Sequence, residues 1–327
     1  MTILVLIHSS FRNWTIPPSH VDALRRALPG DTVLHASDDE EGRRLIAGAD
    51  IAFASHITPE QLGAAPRLQW IHSPAAGVGN MLHPEMIRRP ITITNGRGTS
   101  ADTMAEHVIA VVLALFRQLP TALARQAAHV WAQDEIASPP GNRTIAGSHA
   151  LIVGLGAIGA ATAVRLNALG ATVTGIRRRP DGAAVPGVAA IHPRAALHEL
   201  LPSADVVVLS APQTAETRAL IGEPELGRMK TDAILVNVSR GTLVDEGAVA
   251  RALRSGALGG AALDVFHDEP LPPDSPMWDV PNLLITPHVS GFRRDHWDAA
   301  IALFADNRRR FAAGQPLLNV VDKSAGY

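Results

Sequence analysis

The 327-residue chain contains no cysteine, which removes disulfides, thiolate nucleophiles and cysteine metal sites from consideration. Charged residues are only 18% of the chain and leave a net charge of −2 with histidine neutral. With no long basic block, neither nucleic acid nor an anionic membrane surface is expected as a partner. No apolar run approaches the roughly 20 residues of a membrane-spanning helix. The five apolar residues 3–7 are too few for a secretory signal core and lack a cationic lead-in, so a cytoplasmic location is expected. Neither H-E-x-x-H nor G-x-S-x-G occurs, which argues against a zinc hydrolase and a serine nucleophile elbow. The 14 histidines are scattered rather than ligand-spaced, and no metal is expected.

What the chain does have is concentrated in Ala150-Leu151-Ile152-Val153-Gly154-Leu155-Gly156-Ala157-Ile158-Gly159, an apolar strand running into a glycine-rich turn and then a helix. Gly154 allows the tight turn, Gly156 lets the backbone approach phosphate groups, and Gly159 lets the helix pack closely on the strand. The helix N-terminus then faces the anion. A helical segment to Leu169, a stop at Gly170 and a second apolar strand, residues 172–176, complete a strand–helix–strand unit. This unit reads as a dinucleotide cradle.

An NAD site usually places an acid about 20 residues beyond this turn, on the ribose 2′-hydroxyl. Here Arg177, Arg178 and Arg179 stand there, suited to hold the 2′-phosphate of NADP. NADP(H) is therefore the expected cofactor, with NAD(H) the alternative if the triplet is only a solvated basic turn ahead of Pro180.

At 327 residues the chain is long enough for two domains. Apolar runs at residues 3–7, 51–54, 68–72 and 91–94, alternating with helical stretches such as 21–28, predict a small parallel α/β domain. A mostly apolar helical pattern over residues 101–119 begins the second domain. Pro139, Pro140 and Gly141 mark a loop before the cradle strand. Near-continuous apolar runs at 205–210, 233–238, 260–265 and 283–286 predict buried parallel strands whose carboxyl ends converge on the nucleotide. The helical segment 297–311 is expected to cross back to the first domain.

Three ionisable residues lie just beyond predicted strand ends: Arg240, Glu269 and His288. A guanidinium binds a carboxylate bidentately, a histidine exchanges a proton near neutral pH, and a carboxylate orients and stabilises the charged histidine. Together they fit reduction of a 2-oxo acid. Singly, each has a plain structural role open to it: a surface arginine in a glycine turn, a loop-capping glutamate, a satisfied core histidine.

The motifs Val236-Asn237-Val238-Ser239-Arg240-Gly241, Ala262-Leu263-Asp264-Val265-Phe266 and Ile285-Thr286-Pro287-His288 follow one another in an order that resembles the D-isomer-specific 2-hydroxyacid dehydrogenases. The likeness runs from Ala76-Gly77-Val78-Gly79 through Ala105-Glu106-His107 to Leu318-Asn319-Val320. It implies two doubly wound parallel-sheet α/β domains. One is a Rossmann nucleotide-binding domain, residues 101–290; the other is a smaller flavodoxin-like substrate domain, residues 1–100 and 291–327. It further implies a cleft between them and a homodimer built on the nucleotide domain.

By this resemblance Arg240 clamps the substrate carboxylate and carbonyl, His288 gives a proton to the carbonyl oxygen, and Glu269 keeps His288 protonated. The amides of Val78 and Gly79 bind the same carboxylate, Asp264 meets the nicotinamide amide, and Pro212 and Thr217, with Val238 and Gly291, line the cofactor side. The family's substrate loop usually ends in an acid where this chain has Gly79, and Ser239 precedes the arginine. Those departures, with Trp278 and Trp297, bear on the substrate's C3 end. The expected activity is NADPH-linked reduction of a small 2-oxo acid such as glyoxylate or hydroxypyruvate. The alternatives are NAD-linked oxidation of a D-2-hydroxy acid, or a dinucleotide-sensing binding protein on the same scaffold.

Overall fold

A computed structural model describes residues 1–138 and 141–326; Pro139 and Pro140, of the loop expected before the cradle strand, lie outside the described residues. The chain divides into two compact units, Met1–Thr99 with Arg293–Tyr327, and Ser100–Phe292.

The first unit is a five-stranded sheet of β1 (Thr2–Leu6), β2 (Thr32–Ala36), β3 (Ile51–Ala54), β4 (Trp70–His72) and β5 (Thr92–Thr94). The strands are all parallel, in the order β2-β1-β3-β4-β5, the doubly wound flavodoxin-like arrangement. Both faces are buried, which is why β1 and β3 read as unbroken apolar runs. Leu4, Leu6, Ala52 and Ile71 pack into one core. Their alternating neighbours Ile3, Val5, Phe53 and Trp70 pack into the other, as the two-residue period of a strand requires. The helix His296–Ala312 completes this second core, where Phe304 stacks on Phe53 with centroids 4.7 Å apart and on Trp70 at 5.2 Å. Trp297 is a core residue of the same layer.

The second unit is a seven-stranded parallel sheet in the order β12-β11-β10-β9-β6-β7-β8. Its strands are β6 (His149–Val153), β7 (Thr172–Ile176), β8 (Ala190–His192), β9 (Val206–Leu209), β10 (Ile234–Asn237), β11 (Gly260–Leu263) and β12 (Leu283–Ile285). From β6 the chain winds outward to β7 and β8, then returns to β9 on the other side. The winding therefore reverses between β6 and β9, where an open α/β sheet forms its ligand crevice.

Two strands escape the sequence pattern, β2 and β8. Both are sheet edges, and the residues of β8 are all at least partly exposed, so neither carries the apolar run of a central strand. The long helix expected over 101–119 instead runs Ala101–Phe116. A left-handed Gln118 (φ 51°) separates it from a second helix, Leu119–Ala127, at a bend of 66°. Pro120 explains the break, since it has no N–H and its ring clashes with the carbonyl four residues back, that of Phe116. Among the described residues no single helix is long and apolar enough to cross a membrane.

His72 is fully buried, with Nδ1 2.7 Å from Thr94 Oγ1 and Nε2 unpartnered. Burial pushes its pKa down to about 3, so the folded protein keeps it neutral while the unfolded chain protonates it near pH 6.5. Its contribution to stability is complete above pH 6.5 and falls away towards pH 3 at about 1.4 kcal/mol per pH unit. Urea titrations between pH 4 and 7 should give His72→Gln a shallower loss of stability on acidification, by about one proton. Identical slopes in both proteins would show that His72 is not the group responsible.

Candidate active site

The candidate residues of the second unit follow the carboxyl ends of β6, β7, β9, β10, β11 and the edge strand β12. After β6 the backbone turns at Gly154 (φ 105°). A side chain there would lie 2.5 Å from Ala211 N, and one at Gly159 would lie 2.0 Å from Gly154 O. The turn is thus packed against the end of β9 and under its own helix. At Gly156 a Cβ would meet nothing within 4 Å and would project into open space over the turn. Gly156 is also the N-cap of the helix Ala157–Ala168, and no side chain caps that helix. Leu155 packs beneath Gly175 of β7, while Ala157 and Ile158 open the helix. An open-topped glycine turn with uncapped helix amides fits a dinucleotide pyrophosphate.

The three arginines follow β7, but their placements differ. Arg177 Nη2 donates to Pro180 O (3.1 Å) and Ala183 O (2.9 Å), and its Nε is buried without a partner. It holds its own loop together. Arg178 and Arg179 are exposed. After β9, the Thr217 hydroxyl donates to Pro212 O (2.8 Å) and accepts from Thr214 N (2.8 Å), so Thr217 shapes the loop that Pro212 begins.

Beyond β10, Val238 is a core residue. The buried Asn237 accepts from Ser239 N (3.0 Å) and donates to Arg240 O (2.9 Å). Arg240 Nη1 donates to Ser239 O. Desolvation lowers the Arg240 pKa, with the Glu269 carboxylate opposing; an arginine remains charged throughout the working range. Only glycine fits at 241, because a Cβ there would lie 2.0 Å from the carbonyl carbon of Phe266. The loops after β10 and β11 therefore touch through backbone.

Glu269 and His288 meet. His288 Nδ1 lies 2.6 Å from Glu269 Oε2, and Phe266 N donates to Glu269 Oε1 at 2.9 Å. Partial burial pushes the Glu269 carboxyl up, but the hydrogen bonds from His288 and Phe266, with the charges of His288 and Arg240, hold it below the ordinary glutamate range. His288 adopts a left-handed backbone (φ 52°), a conformation that costs a side-chain-bearing residue about 1–3 kcal/mol and is maintained by its surroundings.

Those surroundings centre on Asp264, whose side chain is 1% exposed. Its Oδ1 accepts from the Thr286 hydroxyl (2.6 Å) and Val289 N (2.9 Å), its Oδ2 from Ser290 N (3.0 Å), and its main-chain carbonyl from His288 N (2.8 Å). Asp264 thus holds the turn that carries His288. His107 stands behind it, 3.2 Å from Thr286 Oγ1; burial lowers its pKa, with Asp264 opposing. Gly291 follows Ser290, against Met104 and Ser100. Asn237 and Thr286 stand within the family motifs but had no expected role, and Ser290 had none either, since uncharged side chains give no chemical signal of their own.

Val78 and Gly79 belong to the other unit, in the loop beyond β4. The Val78 side chain is buried and Gly79 is exposed, with open space where a Cβ would project. Asn95 fixes this loop by donating to Ala76 O at 2.7 Å. Trp278 is largely exposed and ties its indole N–H to Pro272 O.

A glycine cradle at a sheet's winding reversal, with a histidine–carboxylate pair and an arginine on neighbouring strand ends, defines a nicotinamide-dinucleotide oxidoreductase. Residues 109–290 match the family model described as D-isomer specific 2-hydroxyacid dehydrogenase, NAD binding domain. The chain belongs to this family. It is 34% identical over 272 residues to a glyoxylate reductase of Korarchaeum cryptofilum, covering 82% of this chain and 80% of that protein. It is 33% identical over 275 residues to a D-3-phosphoglycerate dehydrogenase of Mycobacterium leprae, of whose length the match spans only 50%, against 84% of this chain. Among solved structures it resembles an NADPH-dependent glyoxylate/hydroxypyruvate reductase from Sinorhizobium meliloti in complex with NADP and sulfate. That structure has a TM-score of 0.85 and 29% identity, with 100% of this chain and 99% of that chain covered.

Asp264→Asn replaces an acceptor with a donor facing main-chain N–H groups or the Thr286 hydroxyl, and loses a charge-assisted bond of about 1.5–3 kcal/mol. A fall in melting temperature of roughly 3–10 °C is expected, together with reduced turnover. An unchanged melting temperature and rate would show that the turn does not depend on Asp264.

Proposed function

We propose that the chain reduces a small 2-oxo acid, with glyoxylate and hydroxypyruvate the first candidates, to the D-2-hydroxy acid, preferring NADPH over NADH. The observation that carries this reading is the 2.6 Å pairing of His288 Nδ1 with Glu269 beside Arg240. With Nδ1 committed to the carboxylate, Nε2 is the ring nitrogen that delivers the proton to the substrate's carbonyl oxygen. Glu269, held ionised, stabilises the imidazolium before transfer and keeps the ring aligned. Arg240 binds the substrate carboxylate and polarises the carbonyl; in the first unit, the amides of Val78 and Gly79 are the carboxylate-binding candidates. When bound, the reduced nicotinamide supplies the hydride.

The turn from Gly154 to Gly159, including Leu155, Ala157 and Ile158, cradles the pyrophosphate. Pro212, Thr217, Val238 and Gly291 shape the nicotinamide side, and Asp264 sets its position. These assignments make residues 1–100 and 291–327 the substrate domain and residues 101–290 the dinucleotide domain. The NADPH preference rests on the basic triplet Arg177, Arg178 and Arg179, of which Arg177 also holds its own loop, and it is supported by the similarity to a reductase solved with NADP. The exposed apolar side chains of Leu119, Leu123, Val130 and Trp131 support a homodimer built on the dinucleotide domain, which a native particle mass of twice the chain would register.

Steady-state oxidation of NADPH and NADH with glyoxylate, hydroxypyruvate, pyruvate and bulkier 2-oxo acids tests the reading. His288→Gln should lower kcat by about 10²–10⁴-fold and leave dinucleotide affinity intact; full activity would reject His288 as proton donor. Glu269→Gln should lower kcat by about tenfold or more with dinucleotide affinity intact, because it removes the carboxylate that aligns the His288 ring. Replacing Arg178 and Arg179 by Ala should weaken NADPH roughly ten- to a hundredfold per charge-assisted bond lost, with NADH little affected. Equal weakening of both cofactors would overturn the NADPH assignment, and dinucleotide binding without turnover of any acid would favour the sensing protein.

A further inference from the structure

The first unit has its own winding reversal. The chain steps from β1 outward to β2, then returns to β3 on the opposite side of β1, so the crevice expected of such a sheet lies beyond the ends of β1 and β3. Three side chains meet there. His8 follows β1, His56 follows β3, and Asp39 opens the segment after β2. Asp39 Oδ1 lies 2.7 Å from His56 Nε2 and 3.3 Å from His8 Nε2, with all three ligand atoms within 4.8 Å of one another.

We propose that His8, His56 and Asp39 form a site for a divalent transition-metal ion, zinc, cobalt or nickel, with the remaining coordination position open to water or a small ligand. Two imidazoles and one carboxylate are a donor set for these ions rather than for magnesium or calcium. In a tetrahedral site with bonds of about 2.0–2.1 Å, donor atoms stand roughly 3.3 Å apart. The His8–Asp39 separation already matches, and His56 has to withdraw by only about half an ångström from its hydrogen bond.

The outer contacts are those a metal site needs. Ser55 Oγ lies 3.1 Å from His56 Nδ1, placed to accept the Nδ1 proton of the tautomer whose Nε2 lone pair faces the ion. Gln61, 1% exposed, donates from Nε2 to Asp39 Oδ1 (3.0 Å) and Asp39 O (3.2 Å), so it orients the carboxylate. Gln61 is itself fixed by a reciprocal cap with Thr58. The His8 and His56 rings meet edge-on at 5.1 Å, and both side chains are about a quarter exposed, which leaves an entry path.

The test is titration of the full chain, stripped with chelator, with zinc chloride by calorimetry and with cobalt chloride by visible absorption. One ion per chain is expected, with a cobalt ligand-field spectrum of low coordination number. Asp39→Asn and His56→Gln should each weaken binding at least a hundredfold while the far-ultraviolet dichroism is unchanged, and Ser55→Ala should weaken it ten- to a hundredfold. Absence of binding at millimolar metal, or binding that survives in the His8→Gln/His56→Gln double variant, overturns the proposal. Because the readout is metal binding, the outcome is independent of whether the chain reduces 2-oxo acids.

Discussion

The geometry of the candidate site depends on one buried carboxylate. Asp264 lies immediately beyond β11 and collects the Thr286 hydroxyl, two main-chain amides and, through its own carbonyl, the amide of His288. A left-handed histidine is not a conformation the chain adopts unaided, and an unpaired buried carboxylate is costlier still. Each offsets the other: the turn supplies the donors Asp264 lacks, and Asp264 supplies the acceptors that hold the turn. Glu269 is only five residues further along the same loop, so the carboxylate that holds the backbone of His288 and the one that holds its ring descend from a single strand. The His288 ring is held from β11 and β12 together.

Arg240 is tied into this arrangement by steric contact. Asn237 closes the turn that carries it, and the missing side chain at Gly241 lets the backbone of the β10 loop rest on Phe266. Phe266 N is also the donor to Glu269 Oε1. A shift of the arginine loop would therefore press on the residue that orients the Glu269–His288 pair. Guanidinium, carboxylate and imidazole behave as one assembly supported on three adjacent parallel strands, which is the condition for positioning groups within a fraction of an ångström.

The parts of this protein written in local patterns were legible in the sequence. The glycine turn, the helix stop at Gly170 and the central strands all declare themselves within ten or fifteen residues, because burial on both faces demands continuous apolar runs. Arg240, Glu269 and His288 stood out because charged groups just past strand ends are chemically conspicuous. Edge strands β2 and β8 did not, being only partly buried. The break after Phe116 was carried by Pro120, whose effect falls four residues upstream of itself. Least legible were partnerships set by topology alone: the Thr286 and Ser290 contacts with Asp264, the capture of Arg177 by its own loop carbonyls, and the meeting of His8, Asp39 and His56. The last three come from three different strand ends, and no spacing rule along the chain brings them together.

The two sheets obey the same winding rule, yet their reversal points carry opposite chemistry. Between β6 and β9 the chain presents glycines and uncapped helix amides, a surface of hydrogen-bond donors without side chains, which favours an anion and lets its phosphates approach the backbone. Beyond β1 and β3 the first unit instead presents two imidazoles and an ionised carboxylate, a surface of lone pairs braced by a serine and a buried glutamine. Lone pairs crowded within hydrogen-bond distance of one another are stable only if shared protons or a cation lie between them. One proton for each imidazole–carboxylate contact satisfies that need, but it leaves Asp39 Oδ1 accepting from His8, His56 and Gln61 at once, more than one oxygen's two lone pairs accommodate. A single divalent ion in the middle relieves that crowding with one centre of charge, and this is why the same architectural position that suits a dinucleotide in one unit suits a metal in the other.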